Sequence, residues 1–321
     1  MFTGKLKKLG IAMAMVLAVV VFGNGSAKAA ANYVGPNACK DCHSPEFEVW
    51  QGTAHFKSYK TIHKNKKAKA IVKAIGGKSM KRTETCAQCH YTVAPKKAGG
   101  KSKANFGPSC ESCHGAASEF IGIHNVYGPK GSKRDQETAE HKAKRVADAK
   151  AAGMIWPRGE MGQRFDVAYN CFECHGMARE TLDGDTAGKM LDAGHPINPD
   201  YEVVLYSQGS VRHRFYNSAS KNEEMNQAEL SRWFVTGQAA SLVQAMKAMS
   251  KTTHAKYVGA QKTRADRAKA VLGSLGLPEA AALIAQPTVD NGRKLVNAIY
   301  TKNLDLSGKV GGSLPAKGSY K

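Results

Sequence analysis

The chain has 321 residues, and its 47 Lys and Arg outnumber its 26 Asp and Glu, giving a formal charge of +21. Leaving out the four lysines of residues 1–30 lowers this charge to +17. A strongly basic balance favours acidic protein partners, an anionic membrane surface or simple solubility. We do not expect nucleic acid as a partner, because the first residues direct the chain out of the cytoplasm.

Residues 1–30 have the pattern of a secretory signal peptide. A basic start precedes an apolar run from Leu9 to Phe22, and small residues follow as far as Ala29. The run is shorter than the about 20 residues that a transmembrane helix needs, and no Cys follows it to carry a lipid anchor. We therefore expect a periplasmic protein, or one exported to the outer membrane or cell surface.

Four Cys-x-x-Cys-His motifs follow the leader and include all eight cysteines. In each motif the two thiols and the imidazole stand at i, i+3 and i+4, so one helical turn presents them on the same side. The thiols can then add to the vinyl groups of one porphyrin while the imidazole reaches its iron, as in c-type haem attachment. The predicted attachment residues are Cys39, Cys42, Cys86, Cys89, Cys110, Cys113, Cys171 and Cys174, with proximal iron ligands His43, His90, His114 and His175.

Other uses of these cysteines fit the spacing less well. A disulfide framework has no need of a His after each pair, a zinc ribbon does not require one either, and a thioredoxin-like site needs a single pair. The sequence therefore predicts a tetrahaem c-type cytochrome with four covalently bound haem c groups. These groups supply apolar interior to a chain with only 7% aromatic residues.

Two further stretches carry a resemblance to a known family. Trp50-Gln-Gly-Thr-Ala-His55 follows the first motif, and His124 stands ten residues after His114 of the third motif. Together with the interval between the second and third motifs, they resemble the cytochrome c-554 family of multihaem cytochromes over roughly residues 36–180. This resemblance implies that His55 ligates the fourth haem and His124 the first.

Two more histidines are candidate distal ligands. His195 lies between a Gly and a Pro, a fixed turn that can present an imidazole to iron or serve only as a turn. His213 lies between Arg212 and Arg214, whose guanidiniums suit haem propionates, although a basic surface turn has the same pattern. We expect the other three free histidines to be exposed: His63, His141 and His254.

The remaining segments are predicted to be helical. Charged residues alternate with Ala from Asp135 to Ala152, which indicates a solvated helix, and haem-free helices are predicted from Asn226 onwards. The predicted fold is mainly α, a haem-packed multihaem domain with little regular sheet and a C-terminal helical region. The expected divisions are a signal peptide (1–30), a tetrahaem domain (31–220), the helical region (221–306) and a disordered tail (307–321).

Three functions are compatible with these features. Haems with two His ligands favour electron transfer, because no coordination position is left for a substrate. The first alternative is a redox enzyme acting on a small nitrogen or sulfur compound at one haem without a distal ligand. The resemblance implies that this haem would be the one on Cys86 and Cys89. The second alternative is a subunit of an extracellular haem filament.

The expected partners of an electron carrier are redox proteins with acidic surfaces. A membrane-associated donor of the quinol oxidase type is a further candidate. The sequence leaves the oligomeric state open.

Overall fold

The computed structural model describes residue 1 and residues 31–158, 163–214 and 220–321. Apart from Met1, the predicted signal peptide lies outside the described residues. Residues Ala31–Lys321 form one compact unit, and the boundary expected between residues 220 and 221 stays a prediction.

The described chain is mainly helical, which confirms the expected fold class. Its α-helices are α1 Ser44–Gly52, α2 Ala54–Thr61, α3 Lys66–Ala74, α4 Glu84–His90, α5 Cys110–His114, α6 Ala139–Ala151, α7 Arg164–His175, α8 Gly184–Asp192, α9 Val203–Ser207, α10 Gln227–Met249, α11 Ala255–Gly273, α12 Pro278–Ala285, α13 Val289–Thr301 and α14 Ser307–Val310. The strands are β1 Thr92–Ala94 and β2 Lys103–Phe106, and short 3-10 turns are Pro36–Ala38, Ile62–Lys64, Arg134–Gln136, Gly311–Ser313 and Lys317–Ser319.

The two short strands form an antiparallel hairpin that joins the second motif to the third. Strand β1 begins two residues after His90, and Thr92 pairs with Phe106 in β2. The Thr92 hydroxyl donates to the Gly107 carbonyl at 3.0 Å and lies 2.9 Å from the Ser109 hydroxyl. Since Ser109 caps α5, the hairpin fixes the start of the third motif relative to the end of the second.

Helix α10 is the centre of the C-terminal region. It packs against α7, α11 and α13, and all its residues from Ser231 to Ala245 are buried. The sequence predicts a helix with one apolar stripe here, whereas in the structure other helices pack around α10 on more than one side. Some of its polar side chains bond locally and others bond to distant residues. The Thr236 hydroxyl donates to the Arg232 carbonyl at 2.8 Å, and Arg232 Nη1 donates to the Leu304 carbonyl at 2.9 Å.

The C-terminal segment differs from the predicted disordered tail. Leu306 and Val310 are buried, and α14 and two 3-10 turns follow one another. The Lys321 amide donates to the Leu205 carbonyl at 2.9 Å, and the Ser210 amide donates to the Lys321 carbonyl at 2.7 Å. The Gly- and Lys-rich composition suggested disorder, but two apolar side chains and these main-chain bonds hold residues 307–321 against the fold.

Gly292 of α13 gives a test of helix packing. A methyl group on it would overlap the ring of Phe165 in α7, and both residues are buried. We expect Gly292→Ala to lower the free energy of unfolding by about 1–3 kcal/mol through overpacking, measured by thermal and denaturant unfolding. In α11, Gly259 has open space around it, so Gly259→Ala is expected to raise stability slightly through helix propensity. Equal effects of the two substitutions would contradict this packing.

A buried ion pair gives a second test. The Arg145 guanidinium in α6 donates to both carboxylate oxygens of Glu137, at 2.7 and 2.6 Å, and the two side chains are 5% and 3% exposed. Hydrogen bonding from Arg145, and secondly from His141, lowers the pKa of Glu137 from 4.5 to about 2. The pair therefore stabilises the fold above pH 4.5 and loses this contribution as the pH falls towards 2.

We expect Glu137→Gln to cost about 3 kcal/mol at pH 7, because it leaves the Arg145 charge buried without a partner. Urea unfolding between pH 7 and pH 2 should show a smaller loss of stability for this variant than for the wild type. Glu140→Gln is the control, since Glu140 is exposed in α6, the helix of Arg145. This variant should keep the wild-type pH dependence. An unchanged pH dependence in Glu137→Gln would refute the role of the pair.

Candidate haem-binding sites

The four Cys-x-x-Cys-His motifs lie on helical turns. The second and fourth end α4 and α7, and the third is α5 itself. The first occupies the turn before α1, where the His43 amide donates to the Cys39 carbonyl at 2.9 Å, an i to i−4 bond of helical type. Each motif therefore has the local geometry in which both thiols and the imidazole lie on one side.

Each motif histidine faces a second histidine from a distant part of the chain. The distances between ring centroids lie between 5.9 and 6.3 Å. The pairs are His43 with His124 at 6.3 Å, His175 with His55 at 5.9 Å, His90 with His195 at 6.0 Å, and His114 with His213 at 6.3 Å. The four distal candidates from the sequence are thus the four partners of the motif histidines.

These separations fit a metal ion between the rings. An imidazole nitrogen lies about 2 Å from a metal that it ligates, so two rings on opposite sides of one iron have centroids about 6 Å apart. The angles between ring planes range from 16° to 77°. When two imidazoles ligate one iron from opposite sides, each ring plane would contain the ligand–iron–ligand axis, so the two rings could take any mutual rotation. The residues present therefore fit the axial positions of haem.

Hydrogen bonds orient several of these rings. The Nδ1 atoms of three distal candidates lie near main-chain carbonyl oxygens: Phe120 for His124 at 3.2 Å, Pro196 for His195 at 2.8 Å, and Val211 for His213 at 2.9 Å. Because a carbonyl oxygen only accepts, Nδ1 must donate, and Nε2 is left with its lone pair. This is the usual second bond of a metal-ligating histidine.

Burial favours the neutral form of five of the facing rings. Desolvation lowers the pKa of His90, His114 and His175 from 6.5 to about 4. It also lowers the pKa of His55 and His195. A neutral imidazole is the form that binds a metal. At pH 7 these side chains are therefore ready to act as ligands.

Thiols of different motifs lie close to one another. Cys39 of the first motif interacts with Cys110 of the third, and Cys89 of the second interacts with Cys174 of the fourth. Cys113 of the third motif interacts with Cys171 and Cys174 of the fourth. None of the eight cysteines forms a disulfide. The motifs are therefore neighbours in the order first, third, fourth, second.

Two buried residues near the motifs were missed by sequence reasoning. Glu111, inside the third motif, accepts hydrogen bonds from the amides of Val34 at 2.9 Å and Gly35 at 2.7 Å, just before the first motif. Tyr201 stacks on the His175 ring, with centroids 4.2 Å apart and planes 9° apart. Neither position has a distinctive local pattern, because both contacts join residues far apart in sequence.

The arginines beside His213 differ from the sequence expectation. Arg214 pairs with Glu46, and Arg212 lies 3.4 Å from a Glu224 oxygen. The sequence suggested that both guanidiniums would pair with haem propionates, whereas in the structure they lie beside these two carboxylates.

The other histidines bond to acidic or main-chain groups. His254 Nε2 lies 3.0 Å from Asp192 and His141 Nδ1 lies 2.8 Å from Glu137, while His63 is half-buried. In the described part of the chain, none of the three stacks against a second imidazole.

The described residues contain neither a metal site made of protein ligands alone nor a helix that could cross a membrane. Within residues 31–158, 163–214 and 220–321, no group of three or more His, Cys, Asp or Glu is arranged to hold a metal ion by itself. Over the same residues, no helix has the length and apolar character to cross a bilayer.

Comparison with known proteins agrees with the motif pattern. The family model described as cytochrome c554 and c-prime matches residues 38–115. A cytochrome c-554 from Nitrosomonas europaea is 28% identical over 179 residues, which cover 52% of this chain and 68% of that protein. No solved structure matches the chain. The chain thus resembles the cytochrome c-554 family, and this resemblance indicates a c-type cytochrome that binds haem c covalently and takes part in electron transfer.

Proposed function

We propose that this chain is a tetrahaem c-type cytochrome that carries electrons between redox partners in the periplasm or after export. The observation that carries the proposal is the set of four facing histidine pairs, each with one member in a Cys-x-x-Cys-His motif. Four pairs match four motifs, so every predicted haem has one proximal and one distal ligand within the chain.

The proposed ligand sets follow from the facing rings. They are His43 and His124 for the first haem, His90 and His195 for the second, His114 and His213 for the third, and His175 and His55 for the fourth. The assignments of His55 and His124 agree with those implied by the family resemblance. Each haem would also be held by the two thiols of its motif.

Haem iron supplies one-electron chemistry when it is bound. The chain would orient three of the distal ligands through their Nδ1 bonds to main-chain carbonyls. With an imidazole on each side of the iron, no coordination position would stay open for a substrate. The thiol contacts support an electron path in the order first, third, fourth, second motif, with the first and second at its ends.

The alternatives receive less support from these contacts. A redox enzyme would need one haem without a distal ligand. At the second motif, the ring centroid of His195 lies 6.0 Å from that of His90, so His195 would take the position that a substrate needs. A haem filament would need a histidine donated by another subunit, and the four pairs within the chain leave no motif histidine in need of one. Electron transfer is therefore the function that the geometry supports best.

The haem content is the first test of this proposal. We expect a pyridine haemochrome assay to give four haems per chain, and mass spectrometry of the exported protein to show the loss of residues 1–30. Electron paramagnetic resonance should show only low-spin ferric iron, because two imidazoles ligate each haem. One haem or fewer per chain, or cysteines joined in disulfides or bound to zinc, would overturn the proposal.

The second haem gives the sharpest test against the enzyme alternative. We expect His195→Ala to convert one haem of the four to high-spin iron, since the mutation removes the imidazole that faces His90. His254→Ala is the control, because that ring bonds to Asp192 at the surface, and it should leave every haem low-spin. High-spin iron already present in the wild type would favour the enzyme instead.

A further inference from the structure

Residues 57–82, here called the basic segment, hold an unusual concentration of positive charge. They carry nine Lys and one Arg and no acidic residue. The exposed cations are Lys57, Lys60, Lys64, Lys66, Lys67, Lys69, Lys73, Lys78 and Arg82. Within the described part of the chain, no salt bridge involves any cation of this segment.

Helix α3 holds much of this charge on one face. Its apolar side is used internally, because Ile71 packs in a cluster with Met190 and Leu191 of α8. Lys66, Lys69 and Lys73 are exposed and stand at i, i+3 and i+7, a spacing that places them along one side of a helix. The fold therefore presents these charges to the outside and does not neutralise them.

The basic segment also borders the second haem site. The side chain of Lys67 lies near Gly194, the residue before His195, since a methyl group added to Gly194 would be 3.8 Å from Lys67 Cδ. Lys81 Nζ lies 3.9 Å from the ring centroid of Tyr59 and 5.7 Å from that of Tyr91, the residue after His90. Residues 78–82 then lead directly into α4 and the second motif. Cations therefore lie near residues that are adjacent in sequence to both histidines of this pair.

We propose that the basic segment is the docking surface for an acidic redox protein that exchanges one electron with the second haem. The proposal rests on the proposed function and adds the place where the partner binds. In the exchange the partner's centre is oxidised by one electron and the ferric haem is reduced to ferrous, with no bond made or broken. Electron tunnelling falls steeply with distance, and cations of this surface lie near Gly194 and Tyr91, which are adjacent in sequence to the second histidine pair.

Charge complementarity favours a protein over a membrane as the occupant. A helix that lies in a bilayer surface needs an exposed apolar face to insert, whereas the apolar face of α3 is packed against α8. The large hydrophobic residues that are exposed in the described chain are Met1, Val93 and Val126, all outside the basic segment. Unpaired lysines around a redox site steer an acidic partner and raise its association rate.

The test measures the rate of electron transfer from an acidic donor. Reduced plant-type ferredoxin, a small acidic one-electron donor, is mixed with the full haem-loaded protein in a stopped-flow instrument at several salt concentrations. We expect the triple variant Lys66→Gln, Lys69→Gln, Lys73→Gln to lower the second-order rate constant at low salt about three- to tenfold. We also expect its salt dependence to be weaker than that of the wild type.

A matched variant separates docking from net charge. Lys256→Gln, Lys294→Gln, Lys309→Gln removes the same charge from exposed lysines of the C-terminal helices. We expect this variant to lose less rate than the Lys66, Lys69, Lys73 variant at low salt. At about 0.1 M salt, where the Debye length is about 10 Å, it should stay within about twofold of the wild-type rate, because charges away from the docking surface are then screened. An equal loss of rate in both triple variants would overturn the docking surface.

Two further measurements distinguish the other outcomes. The first concerns the triple variant at Lys66, Lys69 and Lys73, here called the α3 variant. If it keeps the ferredoxin rate but loses binding to phosphatidylserine vesicles, the basic segment is a membrane-binding surface and the proposal is wrong. Haem count and full reduction by dithionite are measured on the same samples. Four reducible haems with no effect of the α3 variant would overturn docking and keep the proposed function, whereas fewer haems in the wild type would overturn the proposed function itself.

Discussion

The rest of the structure is arranged around four pairs of imidazoles whose ring centroids lie about 6 Å apart. A ring nitrogen that is shielded from water without a partner is costly, because it loses its hydrogen bond to water. A metal ion between two facing rings would satisfy one nitrogen of each ring at once. The four pairs support the same interpretation, since nearly the same separation recurs at each Cys-x-x-Cys-His motif.

The second imidazole of each pair is positioned by elements far from its motif. His55 lies in the first turn of α2, whose N-cap is Thr53. Gly107 lies so close to the His55 carbonyl that any side chain at position 107 would collide with it. The Arg145 guanidinium donates to the carbonyl of His124, so the buried ion pair with Glu137 also fixes that turn. Long-range contacts of this kind turn four local motifs into one structure.

Local patterns in the sequence were sufficient for much of this arrangement. The four motifs follow from spacing within a few residues of the chain, and the haem-free helices predicted from Asn226 onwards begin with α10 at Gln227. The facing partners of His195 and His213 could not be predicted, because nothing local relates them to a motif more than 90 residues away. Glu111 and Tyr201 were missed for the same reason.

The C-terminal helices have a physical role at the fourth motif. Helix α7 ends at His175, Met177 adopts a left-handed backbone with φ of 52°, and the carbonyls beyond the helix end have no partner within it. The C-terminal region supplies these partners: Gln261 donates to the Gly176 carbonyl at 2.9 Å, and the Tyr257 hydroxyl donates to the Met177 carbonyl at 2.8 Å. Arg264 also donates to Gly176, at 3.0 Å, and places a positive charge at the negative end of the helix dipole. A helical region without haem motifs therefore holds the chain that follows the fourth motif in place.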